Sequence, residues 1–151
     1  MQKPDFLKAV LAGIAGTIAM TMLILAAPMM GMPPMDIAGM LADFMKMSVI
    51  LGWVAHFMIG SVWGIAYAYV GVRMLTGAPW LKGLLFSLVP WLMMQTMASP
   101  MMGTGVFFSS TSSGMMMVAG SLMGHLLYGA VLGLVYAKLT SRGTVSKPGT
   151  H

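Results

Sequence analysis

Residues 52–70, GWVAHFMIGSVWGIAYAYV, are apolar enough to lie in a lipid bilayer, yet they include the ionisable residue His56. A bilayer core of about 30 Å is crossed by a helix of roughly 20 apolar residues. The chain contains four such stretches, at about residues 6–27, 48–70, 80–100 and 115–138. The sequence therefore predicts an all-α integral membrane protein with four transmembrane helices.

The composition supports the same class of protein. Of the 151 residues, 58% are hydrophobic and 7% are charged, whereas soluble domains carry about a quarter charged residues. The absence of cysteine excludes disulfides, iron–sulfur clusters and thiolate metal sites. The formal charge of +5 is spread thinly near the predicted helix ends. That distribution is typical of membrane orientation and does not indicate nucleic-acid binding.

The basic residues predict the orientation of the helices, because lysine and arginine concentrate in cytoplasmic loops. Seven of them fall at a terminus or between helices 2 and 3: Lys3, Lys8, Arg73, Lys82, Lys138, Arg142 and Lys147. The only charged residues in the other two loops are Lys46, Asp36 and Asp43. Both termini are therefore expected in the cytoplasm. We expect residues 1–139 to form one transmembrane domain and the polar residues 140–151 to form a flexible cytoplasmic tail.

The chain contains an internal repeat. HFMIGSVWGIAYA at 56–68 aligns without a gap with HLLYGAVLGLVYA at 125–137, and six of the thirteen positions are identical. Fainter matches pair FLKAVL at 6–11 with WLKGLL at 80–85, and PMMG at 28–31 with PMMG at 100–103. Such repetition indicates a duplicated structural unit. The fold is therefore predicted to be two tandem helical hairpins, about 6–70 and about 80–138.

The repeated motif H-x3-G-x3-G-x2-Y has helical spacing. At 100° per residue its four residues fall within about 80° of one another on a helix. The two resulting stripes are His56, Gly60, Gly64 and Tyr67, and His125, Gly129, Gly133 and Tyr136. Small residues on a membrane helix mark the face that meets another helix or a flat ligand. Both histidines are therefore expected to point into the bundle, roughly 12–15 Å from its outer end.

Two inward imidazoles at one depth could be the axial ligands of a b-type haem. In this interpretation His56 and His125 bind the iron, and the glycines of the two stripes let the macrocycle lie against the backbone. The protein would be an electron-transfer or accessory subunit of a membrane redox complex. Helices 2 and 4 would have to diverge toward the outer side, because direct packing of their glycine faces would leave no room.

The 21 methionines support an alternative function. Many lie in the predicted outer loops, and Met93, Met97 and Met101 recur every four residues at the end of helix 3, on one helix face. Thioethers are soft ligands that select Cu(I), so a methionine-rich region above the two histidines would suit copper capture or passage. Methionine also fills membrane cores without a metal. A scaffold or assembly subunit with no cofactor, whose histidines make interhelical hydrogen bonds, is the third interpretation.

The first outer loop is predicted to contain a short interfacial helix. Within MDIAGMLADFMKM at 35–47, the apolar stripe consists of Ile37, Met40, Leu41, Phe44 and Met47. Asp36 would be a first-turn acid favoured by the helix dipole, or a proton or metal group near His56. Pro90 is expected to kink helix 3 and free a carbonyl that one of the histidines could bind.

No serine–histidine–acid set, HExxH motif or phosphate-binding glycine loop is present, so no catalytic residue is predicted and the chain on its own does not read as an enzyme. GMPPMDIAGML at 31–41 followed by GWVAHFMIG at 52–60 resembles small four-helix bacterial inner-membrane proteins of domain-of-unknown-function families. The resemblance covers nearly the whole chain. It implies a multi-pass protein of the bacterial cytoplasmic membrane and supplies no activity. Because four helices make a thin bundle, we also expect a homodimer or a larger membrane complex.

Overall fold

The computed structural model describes residues 4–141, and within this range all regular structure is helical. Its helices are α1 (Phe6–Met30), α2 (Ile37–Met45), α3 (Val49–Met74), α4 (Pro79–Met101) and α5 (Gly114–Ser141). All except α2 are long and apolar enough to cross a membrane. The four predicted spans and the all-helical fold class are confirmed. Lys3, Arg142, Lys147 and most of the predicted tail lie outside the described residues.

The long helices pack in the order α3–α1–α5–α4. We call the end of the bundle with Phe6 and Ser141 the terminal end, and the opposite end the loop end. Between α3 and α4 the main backbone contact comes from Tyr67–Gly71, close to the terminal end. These two helices therefore diverge toward the loop end, whereas α1 and α5 pack along the middle of the bundle.

Glycines bring the two helices of each hairpin into backbone contact. In the first hairpin a methyl group on Gly13 would lie 2.6 Å from the Gly60 carbonyl oxygen, and one on Gly64 would lie 2.8 Å from the Gly13 Cα. In the second hairpin a methyl group on Gly83 would lie 2.9 Å from both the Gly129 carbonyl carbon and the Gly133 nitrogen. The predicted hairpins are thus held by the closest possible helix contact.

The structural repeat and the sequence repeat differ in register within the first helix of each hairpin. Gly13 and Gly83 occupy equivalent positions against their partner helices and are 70 residues apart. The matching stretches FLKAVL and WLKGLL are 74 residues apart. The short sequence match is therefore shifted by four residues, about one helical turn, from the alignment that the structure gives. The structural alignment follows the small residues, because they decide where the helices can pack closely.

The PMMG copies form the same turn at the loop end. Each ends a helix with a glycine in the left-handed conformation, Gly31 at φ 80° and Gly103 at φ 79°, a conformation that glycine adopts without strain. The glycine N–H donates to the proline carbonyl, Pro28 at 3.1 Å and Pro100 at 3.0 Å. The repeat therefore extends from the glycine contacts to the turns that end α1 and α4.

The short helix α2 packs over the start of α3. Asp36 caps it, because its carboxylate accepts a hydrogen bond from the Gly39 N–H at 2.8 Å. Ala38 is fully buried, and Gly52 of α3 allows its carbonyl to approach closely. The residues of the predicted apolar stripe do not all face the same side. Part of the stripe faces the bundle, whereas Phe44 and Met47 are exposed. As a result α2 covers part of the loop end.

Candidate functional site

The divergence of α3 and α4 leaves a cavity of about 320 Å³ at the loop end, which we call the inner cavity. All five helices contribute to its walls, with Ile37, Met40 and Leu41 of α2 at the loop end. His56 and His125 both line it. Eight methionines also line it, and five of them lie in or directly after α4: Met93, Met94, Met97 and Met101 within the helix and Met102 just beyond it. The structure thus brings the predicted imidazoles and thioethers together.

One ring nitrogen of His125 is held by a backbone hydrogen bond. Its Nδ1 lies 2.8 Å from the carbonyl oxygen of Ser121, one turn earlier on α5. Because a carbonyl can only accept, Nδ1 carries the proton and Nε2 keeps its lone pair. Within the described residues Nε2 forms no hydrogen bond. Metal-binding histidines commonly donate their other ring nitrogen to a carbonyl in this way.

His56 has a different partner, although it occupies the matching position of the repeat. Its Nε2 lies 3.1 Å from the Thr21 hydroxyl of α1, and its ring packs edge-on to Trp53 and Phe57 with centroids 6.0 and 5.8 Å away. This is the interhelical hydrogen bond of a structural membrane histidine. The two histidines share one cavity but only His125 has a nitrogen lone pair fixed by a backbone bond.

Helix α4 widens where it lines the inner cavity. Pro90 lies within the helix, and Met94–Ala98 form a π-helical turn, which adds one residue to the turn. Met93, Met97 and Met101 are 43%, 56% and 65% exposed and form the rim of the cavity. The expected bond between a histidine and a carbonyl freed by the proline is not formed within residues 4–141, because both histidines use the partners described above.

The stripe glycines serve mainly the helix contacts. Gly60 lines the inner cavity, but its Cα also faces Thr17 of α1. Gly64 packs against α1, whereas Gly129 and Gly133 pack against α4. Their faces are therefore covered by neighbouring helices. The candidate site consists of His56, His125 and the methionines, and the glycines hold the frame around it.

Three polar residues next to the candidate site were not predicted from the sequence: Thr21, Ser121 and Tyr128. The Tyr128 hydroxyl donates to the Gly60 carbonyl at 2.6 Å, across the centre of the bundle. Ser121 is 2% exposed and lines the inner cavity, and its hydroxyl has no partner in the described part of the chain. Ser121 and Tyr128 lie four residues before and three after His125, on its own helix face. Their spacing from His125 was the sequence signal that could have identified Ser121 and Tyr128.

We expect Tyr128→Phe to lower the free energy of unfolding by about 1 kcal/mol, because it removes the buried hydrogen bond that the Tyr128 hydroxyl donates to the Gly60 carbonyl in addition to the helical bond. The matched control is Tyr69→Phe on α3, since Tyr69 is 43% exposed. The control should change stability by less than about 0.5 kcal/mol. Thermal unfolding of both variants in the same detergent measures the difference. Equal stabilities would show that the Tyr128 bond does not stabilise the bundle.

The fold and its cavity define an all-helical protein with four helices long and apolar enough to span a membrane, built from two hairpins. The chain belongs to a family of unknown function, DUF6789, whose model matches residues 4–147. The resemblance to proteins of unknown function is confirmed to that extent. No curated protein and no solved structure matches the chain. The function is therefore inferred from the inner cavity.

Proposed function

We propose that this protein binds Cu(I) in the inner cavity and handles copper at a membrane. The observation that carries the proposal is the convergence of His125, with its free Nε2 lone pair, and eight methionine thioethers on one 320 Å³ cavity. Thioethers and imidazole are ligands that suit Cu(I). No group of three or more histidine, aspartate or glutamate side chains converges within residues 4–141. A Cu(I) site with three or more side-chain ligands in this part of the chain would therefore include methionine sulfur.

Cu(I) also suits the surroundings of the cavity. Carboxylate ligands are costly inside a bilayer, whereas methionine and neutral histidine place no additional charge there. The rim methionines Met93, Met97 and Met101 are exposed, and Met101 ends α4 at the loop end, where an arriving ion would meet it first. The neutral His125 would then supply the nitrogen ligand deeper in the cavity.

The distribution of charge supports an orientation for this activity. At the terminal end the described basic residues are Lys8, Arg73, Lys82 and Lys138, whereas the loop end has Lys46 with two aspartates. By the positive-inside rule the terminal end would face the cytoplasm. We place the protein in the bacterial inner membrane in this orientation, with the inner cavity receiving copper from the outer side.

A b-type haem is the second candidate, supported by the two imidazoles that line one cavity. The glycines expected to lie against the macrocycle face α1 and α4, so a haem here would pack against methionine side chains. In that case the protein would be an electron-transfer subunit. The Thr21–His56 hydrogen bond favours the third candidate, a scaffold without a cofactor.

A Cu(I) titration of the full chain in detergent, under anaerobic ascorbate and against a chromogenic chelator, tests the proposal. The expected result is a colourless protein that retains stoichiometric Cu(I). The triple variant of Met93, Met97 and Met101 to leucine should bind Cu(I) far more weakly. Leucine conserves side-chain volume, and the double control Met22→Leu/Met58→Leu changes methionines that are exposed and do not line the inner cavity.

The absorption spectrum of the same purified sample separates the three candidates. A Soret band that shifts on reduction with dithionite would show that the protein binds haem and would overturn the copper proposal. A protein with no chromophore that also yields all its Cu(I) to the chelator would overturn both metal proposals and leave the scaffold. Equal Cu(I) binding by the rim variant and the control would overturn the role given to the rim methionines.

A further inference from the structure

A second, smaller cavity lies beside the inner cavity at the loop end, between α1, the segment after it and α5. We call it the outer cavity. Its volume is about 10 Å³, which is close to the space that one water molecule needs. Five methionines line it: Met30, Met32, Met35, Met116 and Met123. A space of this size can hold a single ion but no organic molecule.

Gly120 of α5 lets the methionine side chains converge. A methyl group at Gly120 would lie 2.9 Å from Met32 Cε, and the sulfur atoms of Met35 and Met32 lie 3.8 and 4.0 Å from the same point. Met116 and Met123 are four residues before and three residues after Gly120, so they flank it on the same helix face. Thioethers from the loop and from α5 thus surround one patch of bare backbone.

We infer that the outer cavity is a thioether-only site that takes up Cu(I) first and passes it to the inner cavity. The identity of the ion rests on the proposed function of the inner cavity. The lining of the outer cavity is partly exposed, since Met30, Met116 and Met123 are 64%, 51% and 45% exposed, and Met30 ends α1 at the loop end. Neither an ionisable side chain nor a histidine lines it, so only a soft cation would gain from binding there.

Met35 connects the two cavities, because it lines both of them. Its sulfur atom can therefore remain bound to the ion while the other ligands change from the outer methionines to those of the inner cavity. The step is a ligand exchange: copper stays Cu(I), no electron moves, and the neutral thioethers release no proton. The ion loses outer sulfur ligands and gains inner sulfur and the His125 nitrogen.

The test is a Cu(I) titration of the full chain in detergent, combined with X-ray absorption at the copper edge. The parent is expected to bind two ions per chain. The outer variant Met32→Leu/Met116→Leu/Met123→Leu should bind one, and that ion should have a nitrogen ligand. The matched control Met22→Leu/Met58→Leu/Met74→Leu, in which all three methionines are exposed and line neither cavity, should bind two.

The outcomes separate the outer site from the inner one. Two ions in the outer variant would overturn the outer site and leave the inner site standing. One remaining ion without a nitrogen ligand would overturn the assignment of both sites. A parent protein whose only bound copper is sulfur-coordinated and is lost in the outer variant would overturn the inner site instead. A parent that binds no copper would overturn both.

The transfer of Cu(I) through Met35 is tested by a separate measurement. Cu(I) reaching the inner cavity should quench the emission of Trp63, which lines that cavity. In stopped-flow mixing, Met35→Leu is expected to slow this quenching several-fold while the number of bound ions stays at the parent value or falls by one. Quenching at the parent rate would overturn the role of Met35 in the transfer.

Discussion

Gly129→Ala is expected to lower the free energy of unfolding by about 3 kcal/mol, at the upper end of the range for overpacking by a small group. The added methyl group would overlap the Gly83 carbonyl oxygen and lie 2.6 Å from the Ser87 hydroxyl. A carbonyl of the main chain cannot turn aside as a side chain can, so α4 and α5 must separate. The better helix propensity of alanine, worth up to about 1 kcal/mol, offsets only part of the loss.

Gly124→Ala, five residues earlier on the same helix, is the control. Its methyl group would lie 3.3 Å from Cγ and 3.4 Å from Cε of Met20, a flexible side chain that can move away. Its stability should therefore differ from the parent by less than about 1 kcal/mol. Unfolding of the two variants side by side in detergent gives the comparison. If both are equally stable, backbone contact at Gly129 does not hold the second hairpin together.

His125→Phe is expected to weaken Cu(I) binding at the inner cavity by more than about 100-fold. Phenylalanine keeps a ring of similar size but removes the Nε2 lone pair, the nitrogen ligand of the proposed site, which the hydrogen bond between Nδ1 and the Ser121 carbonyl orients. Loss of a ligand should exceed the 10- to 100-fold cost typical of changing a partner behind a ligand. Competition with a Cu(I) chelator measures the affinity, and thermal unfolding establishes that the variant is folded.

Thr21→Val tests the other histidine without removing its ring. Valine deletes the hydroxyl that pairs with His56, so Cu(I) affinity should fall by about tenfold at most, as for a partner behind a ligand. A larger loss in Thr21→Val than in His125→Phe would make His56 the principal nitrogen ligand. Unchanged affinity in His125→Phe would exclude nitrogen coordination by α5.

The sequence predicts the helices and their inward faces well, because periodicity records burial directly. His56, Gly60, Gly64 and Tyr67 are all buried, as their spacing predicts. Spacing does not specify which neighbour a face meets. The stripe glycines were therefore open to interpretation as a haem surface, and the structure packs them against α1 and α4.

Other features depend on tertiary structure that no local pattern contains. The π-helical turn Met94–Ala98 has no distinct sequence signal, yet it brings neighbouring residues to one side of α4. The division of the α2 stripe arises because Ala38 and Ala42, small residues outside the predicted stripe, form its contact with α3. The bond between His125 and Ser121 needs only one helix, but its value depends on the cavity that other helices form.

The frame of the bundle is duplicated, whereas α2, which covers part of the loop end, is not. Both hairpins have the same glycine contacts, and the rings of Tyr67 and Tyr136 meet between them with centroids 6.0 Å apart. Helix α2 belongs to the first hairpin alone and covers α3, which leaves the side toward α4 open. Substitutions in the segment between α1 and α3 could therefore alter what reaches the histidines without weakening the hairpins. On the proposed function, selectivity would therefore be determined in a different part of the chain from stability.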